Sequence, residues 1–238
     1  MTSLAGKRIL ITRTTADNAV WAAQLRERGA VVIERACIER QLVQDAGPVL
    51  DQALTGAAWL VLPSPSSVRC FAKLAKLPAG VRVACTGLAS KGLANKSLGR
   101  CDLVSPTGTM AGLAHALGAL GACSIVVAGA KEGTKDLQAA LTPMGFGIQH
   151  VSTYRTQSAT LVAGEKVASA EALNLDAIFL ASPSAWTGLR NVMELSNTPL
   201  ITIGPTTSAA VTSARLNVAA EAQTRDLDGL VEALLCIQ

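Results

Sequence analysis

Two stretches of the chain carry one pattern: Leu60 to Phe71 reads LVLPSPSSVRCF, and Ile178 to Leu189 reads IFLASPSAWTGL. Superposing them places Leu62 on Leu180, Ser64 on Ser182, Pro65 on Pro183 and Ser66 on Ser184, a shift of 118 positions. A duplicated unit moves all its landmarks by nearly the same amount, whereas a chance match moves only itself. The neighbours do move together. Gly87 falls on Gly204 and Ser90 on Thr207 at a shift of 117, as do Gly112-Leu113 on Gly229-Leu230 and Ala116-Leu117 on Ala233-Leu234. Upstream, Leu25 and Gly29 fall on Leu141 and Gly145 at 116. The sequence therefore reads as two copies of one unit of about 117 residues, close to the commonest domain size.

Within each copy, short apolar runs end at polar or glycine positions and are followed by helical periodicity. The first copy predicts strands at Arg8 to Thr12, Val31 to Glu34, Trp59 to Leu62, Arg82 to Cys85 and Asp102 to Val104. The second predicts Ser124 to Ala128, Gly147 to Val151, Ala177 to Leu180, Leu200 to Ile203 and Asn217 to Ala219. Between them lie helices such as Ala16 to Arg28, with Val20, Ala23 and Leu25 as its apolar stripe, and Lys135 to Pro143, with Leu137 and Leu141. Alternating strand and helix implies an α/β fold whose parallel sheets are covered on both faces. Each copy's second strand continues into a polar extended stretch, Arg35 to Leu42 and Ser152 to Leu161, long enough to leave one sheet and enter another. Two equivalent crossings predict a discontinuous domain of residues 1–36 plus 156–238 and an inserted domain of 37–155, joined by two linkers that would act as a hinge over a cleft.

Composition narrows the function classes. Half of the residues are hydrophobic, yet no apolar run reaches the roughly 18 to 20 residues that span a bilayer, so a soluble protein without a membrane partner is expected. The short tract after Lys7-Arg8 is too brief for a signal-peptide core and reads as a buried strand, which predicts a cytoplasmic location. Six cysteines, at 37, 70, 85, 101, 123 and 236, lie singly and without a histidine at metal spacing; buried reduced thiols and no metal site are expected. His115 and His150 read as solvated or structural. With seven aromatic residues and no lysine or arginine block, a nucleic-acid partner is not expected, although a net charge of +4 suits a small polyanion.

In parallel sheets, ligands bind beyond the carboxyl ends of strands, where the next helix offers unpaired N–H groups. Ser64 and Ser182 stand there as helix caps, with Pro65 and Pro183 at the first helical position. Ser66 and Ser184 follow, and each copy carries a second turn of similar design: Thr86-Gly87-Leu88-Ala89-Ser90 and Gly204-Pro205-Thr206-Thr207. This array of hydroxyls and amides suits carboxylates or phosphates. The dense glycine of nucleotide cradles is missing, which disfavours nucleotides. Arg13, directly after the first strand, is a binding candidate weighed against a surface ion pair, and Lys131 follows the equivalent strand of the second copy. Tyr154, the only tyrosine, lies in the return linker, as a packing or a functional residue. No Ser-His-Asp set or close carboxylate pair is present, so any chemistry must rest on positioning, hydroxyls and backbone dipoles.

The series LITR, RERGA, LVLPSPS, GAKEGTKDLQAALTPMGF, VSTYRT, AIFLASPSA, ITIGPTTSAA and DLDGLVEALL resembles uroporphyrinogen-III synthases over nearly the whole chain. The resemblance implies two flavodoxin-like domains, related by internal duplication and joined by a two-stranded linker. It also implies a cytosolic, cofactor-free enzyme, expected as a monomer, that cyclises the linear octacarboxylate hydroxymethylbilane with inversion of ring D and loss of water. The family's cleft tyrosine maps to Tyr154 as the catalytic residue, its glycine-threonine turn to Gly204, Thr206 and Thr207, and its strand-end serine to Ser182. Arg13, Ser64, Ser66, Ser90, Lys131 and Ser184 join these as expected substrate contacts. The first-copy turn departs from the family pattern by reading TGLAS, and Lys135 stands where the family often has arginine. The alternatives are a non-catalytic two-domain binder or sensor of a small polyanion, which such a cleft would serve equally, and a degenerate synthase domain kept for interaction.

Overall fold

The computed structural model describes residues 4–130, 135–160 and 168–237. Its elements open with β1 (Arg8–Ile11), α1 (Thr15–Glu27), β2 (Val31–Glu34), β3 (Ile38–Leu42), α2 (Ala46–Leu54), β4 (Trp59–Leu62), α3 (Pro65–Leu74), β5 (Arg82–Cys85), α4 (Leu88–Leu98), β6 (Leu103–Val104) and α5 (Met110–Gly118). They continue with β7 (Ser124–Ala130), α6 (Lys135–Leu141), β8 (Gly147–Ser158), β9 (Ala168–Ser169), β10 (Ala177–Leu180), α7 (Pro183–Val192), β11 (Met193–Glu194), β12 (Leu200–Thr202), α8 (Pro205–Ser213), β13 (Ala220–Glu221) and α9 (Leu227–Leu235). The chain divides into two compact units, Met1–Arg40 with Thr156–Gln238, and Gln41–Arg155.

The first unit holds a five-stranded sheet in the order β13-β12-β10-β1-β2, parallel throughout. Side chains alternate across a strand, and β1 uses both faces. Ile9 and Ile11 pack with Trp21 and Leu25 of α1 and with Leu230, Val231 and Leu234 of α9. Leu10 faces the other way, into a cluster with Trp186 and Leu189 of α7 and Val211 of α8. A short parallel pair, β9 with β11, forms a sheet of its own.

The second unit is built on the order β3-β8-β7-β4-β5-β6, with parallel pairing from β8 through to β6. Again the central strand, β4, is apolar on both faces. Leu60 and Leu62 pack with Val68 and Phe71 of α3 and with Leu50 and Leu54 of α2. Trp59 and Val61 pack with Leu113 and Leu117 of α5 and with Leu137 and Leu141 of α6. The result is an α/β fold with parallel-dominated sheets, as the alternation predicted.

Three expectations need correction. The last strand, expected at Asn217 to Ala219, is Ala220–Glu221, pairing with Ile201 and Thr202 of β12. The chain spends the preceding residues reversing direction after α8, with Arg215 in the left-handed region (φ 61). In α1, Val20 is 51% exposed and Ala23 is also exposed, so they do not form the buried stripe. The buried face is Asn18, Trp21, Ala22 and Leu25, which keeps the i, i+3, i+4, i+7 spacing. The Oδ1 of the buried Asn18 accepts the Arg13 backbone N–H at 2.9 Å. Finally, the thiols are not uniformly buried: Cys37, Cys70 and Cys85 are, Cys101 and Cys123 are half-buried, and Cys236, past the packed face of α9, is exposed. Burial pushes the Cys37 thiol up to about 12, with the nearby Arg35 opposing it, so this thiol stays protonated and inert at neutral pH. Among the described residues, no helix is long and apolar enough to cross a membrane.

Candidate functional site

In the unit of residues 41–155, β4 runs into Pro63-Ser64-Pro65. Ser64 is extended (φ −149, ψ 162) and caps α3, its Oγ accepting the Ser67 N–H at 3.1 Å, with Pro65 at the start of the helix. The same Oγ lies 3.0 Å from Ser67 Oγ and 3.4 Å from the phenol oxygen of Tyr154. Three hydroxyls thus stand in series at the end of the strand.

Tyr154 reaches this position through an irregularity in β8. Along β7 and β8, Ala128 pairs with Val151 and Gly129 with Ser152, but Ala130 pairs with Tyr154. Thr153 is the extra residue of a β-bulge, a device that re-aims side chains. Regular pairing would set Thr153 opposite Ala130; the bulge sets Tyr154 there instead, and both residues are buried, at 0% and 7% exposure. The Thr153 hydroxyl donates to the Gly129 carbonyl at 3.2 Å, which satisfies it where water is excluded.

The neighbouring turn follows β5. Thr86 Oγ1 donates to the Pro63 carbonyl at 2.6 Å, tying the two strand ends together, and Gly87 opens α4. Ser66 and Ser90, in the first turns of α3 and α4, are both buried. Leu88, at the first position of α4, is the opposite, an apolar side chain that is 76% exposed. Lys131 lies outside the described residues.

The other unit presents its own strand ends. After β1, Thr14 caps α1 by accepting the Asp17 N–H. Arg13 turns back along that helix: its guanidinium stacks 4.4 Å from the centre of the Trp21 ring and lies 3.4 Å from Asp17 Oδ2. Arg40 approaches the same carboxylate oxygen at 2.8 Å and donates to Thr14 Oγ1 at 3.1 Å. Arg13 is therefore part of an ion-pair cluster at the start of α1. Ser182, extended like Ser64, caps α7 by accepting the Ala185 N–H at 3.1 Å, with Ser184 Oγ also 3.1 Å away and Pro183 in the first helical position. Ser158 Oγ, at the end of β8, donates to the Ser184 carbonyl at 3.0 Å.

Gly204 opens α8, followed by Pro205, the exposed Thr206 and the buried Thr207. The Arg225 side chain crosses this turn, with its Nε 3.6 Å from where a Cβ on residue 204 would stand. Ser208 anchors the turn from below, hydrogen-bonded to Thr202 Oγ1 at 2.7 Å and to the Glu221 carboxylate.

Sequence reasoning did not single out Ser67, Thr153, Arg40 or Arg225, all of which the fold brings to these turns. Ser67 follows directly on the repeated Ser-Pro-Ser and could have been read from it; the other three are placed by contacts distant in sequence. Chemically, the turns offer capped helix starts, hydroxyls and guanidinium groups, a set suited to oxyanions. Among the described residues no group of three or more His, Cys, Asp or Glu could hold a metal ion.

A family model described as uroporphyrinogen-III synthase HemD matches residues 19–232. No curated protein matches significantly. Among solved structures, the uroporphyrinogen-III synthetase of Helicobacter pylori is similar at a TM-score of 0.62 and 14% identity, covering 98% of this chain and 100% of that one. A mutant uroporphyrinogen III synthase of Thermus thermophilus is similar at a TM-score of 0.53 and 13% identity, covering 98% of both chains. At such identities the structural likeness speaks for the fold alone.

Proposed function

Because the chain belongs to the uroporphyrinogen-III synthase family, whose members are cyclising lyases of heme biosynthesis, we propose that it converts hydroxymethylbilane to uroporphyrinogen III. Ring D is inverted through a spiro intermediate, and the hydroxyl of the substrate leaves as water. The observation that carries this reading is the family match, which spans residues 19–232 and so takes in both strand-end serine turns and Tyr154. Supporting it, the sheet of the first unit runs β2-β1-β10-β12-β13 and that of the second runs β8-β7-β4-β5-β6 beside its edge strand β3. The first is the doubly wound order 2-1-3-4-5 along the chain, and the second takes that order once β7 and β8, the strands that open the second sequence copy, are counted first; with the repeated landmarks of the sequence this favours a duplicated, flavodoxin-like pair of domains, one discontinuous and one inserted.

In this reading Tyr154 is the catalytic residue. Its phenol hydrogen-bonds the departing hydroxyl and favours its loss as water, leaving an electrophilic azafulvene; Ser64 keeps the phenol oriented. Ring closure then needs chiefly that two carbons be held together, which binding supplies. Ser64, Ser66, Ser90, Ser182, Ser184, Gly204, Thr206 and Thr207, with Arg13 and Lys131, are assigned to the substrate, whose eight carboxylates give each capped helix start and each cation an acceptable partner. We place the enzyme in the cytoplasm as a cofactor-independent monomer without a nucleic-acid partner.

The deciding assay uses freshly prepared hydroxymethylbilane and separates the type III from the type I product. Predominantly type III is expected; type I, the product of spontaneous closure, would leave only a binder of polyanions. Tyr154→Phe removes one hydroxyl and little volume, so turnover should fall about tenfold to a thousandfold with the fold intact, the range for a positioned acid or oriented donor. Unchanged turnover would make Tyr154 a packing residue.

Charge provides a separate check. KM should rise with ionic strength, because exposed charges further apart than a Debye length of about 8 Å at physiological salt are screened. Arg13→Ala should flatten that rise. Equal slopes in the two proteins would confine Arg13 to its stack on Trp21 and its pair with Asp17.

A further inference from the structure

We propose that Thr153 is a positioning residue for the cyclisation: its hydroxyl holds the β-bulge that turns Tyr154 toward Ser64. The inference rests on the functional reading of Tyr154 given above. In a regular continuation of the β7–β8 ladder, Ala130 would face Thr153, the residue after Ser152; the bulge instead brings Tyr154 opposite Ala130. An extra residue in a strand forfeits ladder pairing, so it needs a local contact to favour it over the regular register. Thr153 supplies that contact from a fully buried site, by donating to the Gly129 carbonyl at 3.2 Å.

The contact closes a ring. Gly129 lies against Ser67, whose Oγ would be 3.4 Å from a Cβ at residue 129. Ser67 Oγ is 3.0 Å from Ser64 Oγ, and Ser64 Oγ is 3.4 Å from the Tyr154 hydroxyl. From Tyr154 the peptide chain leads back to Thr153. The phenol is thereby registered against its own strand through two serines and a glycine. Loss of the Thr153 hydroxyl breaks the ring at the step that selects the register, and displacements on the order of 1 Å are enough to cost a reaction about a hundredfold.

Thr153→Val keeps the shape and removes the hydroxyl, Thr153→Ser keeps the hydroxyl, and both are compared with Tyr154→Phe and the double variant Thr153→Val/Tyr154→Phe. Each is assayed for kcat, KM and the ratio of type III to type I product. Thr153→Val is expected to lower kcat about tenfold to a hundredfold with KM nearly unchanged. Thr153→Ser should restore kcat, and the double variant should be no slower than Tyr154→Phe alone, because residues acting through one another are not additive. Tyr154 is the only tyrosine, so tyrosine labelled with carbon-13 at Cζ gives one NMR signal, which should move in Thr153→Val and return in Thr153→Ser. If valine prevents folding, Thr153→Ala takes its place in every comparison. A double variant slowed by the product of the two single effects, or a tyrosine signal that does not move, overturns the positioning role while Tyr154→Phe still reports a functional phenol. Full activity in Tyr154→Phe overturns the reading of Tyr154 itself, and the role of Thr153 with it.

Discussion

Gly188→Ala is expected to destabilise the protein by roughly 3 kcal/mol or more, at the upper end of overpacking effects. For a chain of this size that lowers Tm by about 6–12 °C, at roughly 2–4 °C per kcal/mol. Gly188 lies on the buried face of α7, and a Cβ there would stand 1.8 Å from the Cys37 carbonyl oxygen, 2.8 Å from its carbon and 3.0 Å from the Ala159 nitrogen. No side-chain rotation relieves this, because every obstacle is backbone. Nor can those atoms separate freely, since Ala159 N donates to Cys37 O at 2.8 Å. The control is the same substitution at Gly92, an exposed position inside α4 with nothing within 4 Å of the added carbon. There alanine should stabilise by about 0.5–1 kcal/mol, the usual gain over glycine in a helix interior. Thermal or urea unfolding of the two variants should give shifts of opposite sign. An unchanged Tm in Gly188→Ala would mean that α7 withdraws from the Cys37–Ala159 pair without cost.

Cutting the chain should have a still larger effect, and the sequence repeat is the wrong place to cut. A fragment of residues 37–158 contains β3 through β8, every strand of the six-stranded sheet. It is expected to unfold cooperatively by itself. Residues 1–120 match one copy of the repeat but should not fold. In that fragment Trp59, Leu60 and Val61 of β4 lose their partners Ile125, Val126 and Val127 in β7. Likewise Ile9, Leu10 and Ile11 of β1 lose Ala177, Ile178 and Phe179 in β10. Two open edges of largely apolar strands are a template for aggregation. Near-UV circular dichroism and hydrogen exchange on both fragments test this. A cooperative 1–120 with a molten 37–158 would sink the inserted-domain organisation.

The central strands were legible because they are buried on both faces and so read as unbroken apolar runs; Trp59–Leu62 and Ala177–Leu180 have their bounds as expected. The repeated glycines were legible too, and the structure gives their cause. Thr109 caps α5 by accepting the Gly112 N–H at 3.1 Å, and Asp226 caps α9 by accepting that of Gly229 at 2.8 Å. The preceding loop folds onto each glycine so closely that a Cβ would meet Thr107 Oγ1 at 2.0 Å or the Thr224 carbonyl at 2.3 Å. Other features could not be read from a window of sequence. Asp17 of α1 is buried where Arg13 and Arg40 meet it, and Arg40 arrives from β3, 26 positions beyond the Thr14 to which it also donates. The bulge in VSTYRT has no letter of its own, because a register exists only relative to a partner strand. The serine caps could be read locally, whereas the phenol that meets Ser64 is placed by a strand 90 residues away.

The three tryptophans each lie beneath a guanidinium, Trp21 under Arg13 at 4.4 Å, Trp59 under Arg82 at 4.2 Å and Trp186 under Arg190 at 5.6 Å. An indole's emission responds to a cation over its face and to the polarity around it. Trp59 is the sole tryptophan among residues 41–155, while the other two belong to the unit formed by the chain ends. The protein is thus optically partitioned as it stands: substituting Trp59 alone silences one unit's tryptophan emission, and substituting Trp21 and Trp186 silences the other's. The loss of each stack on denaturation can then be timed separately, with no dye attached.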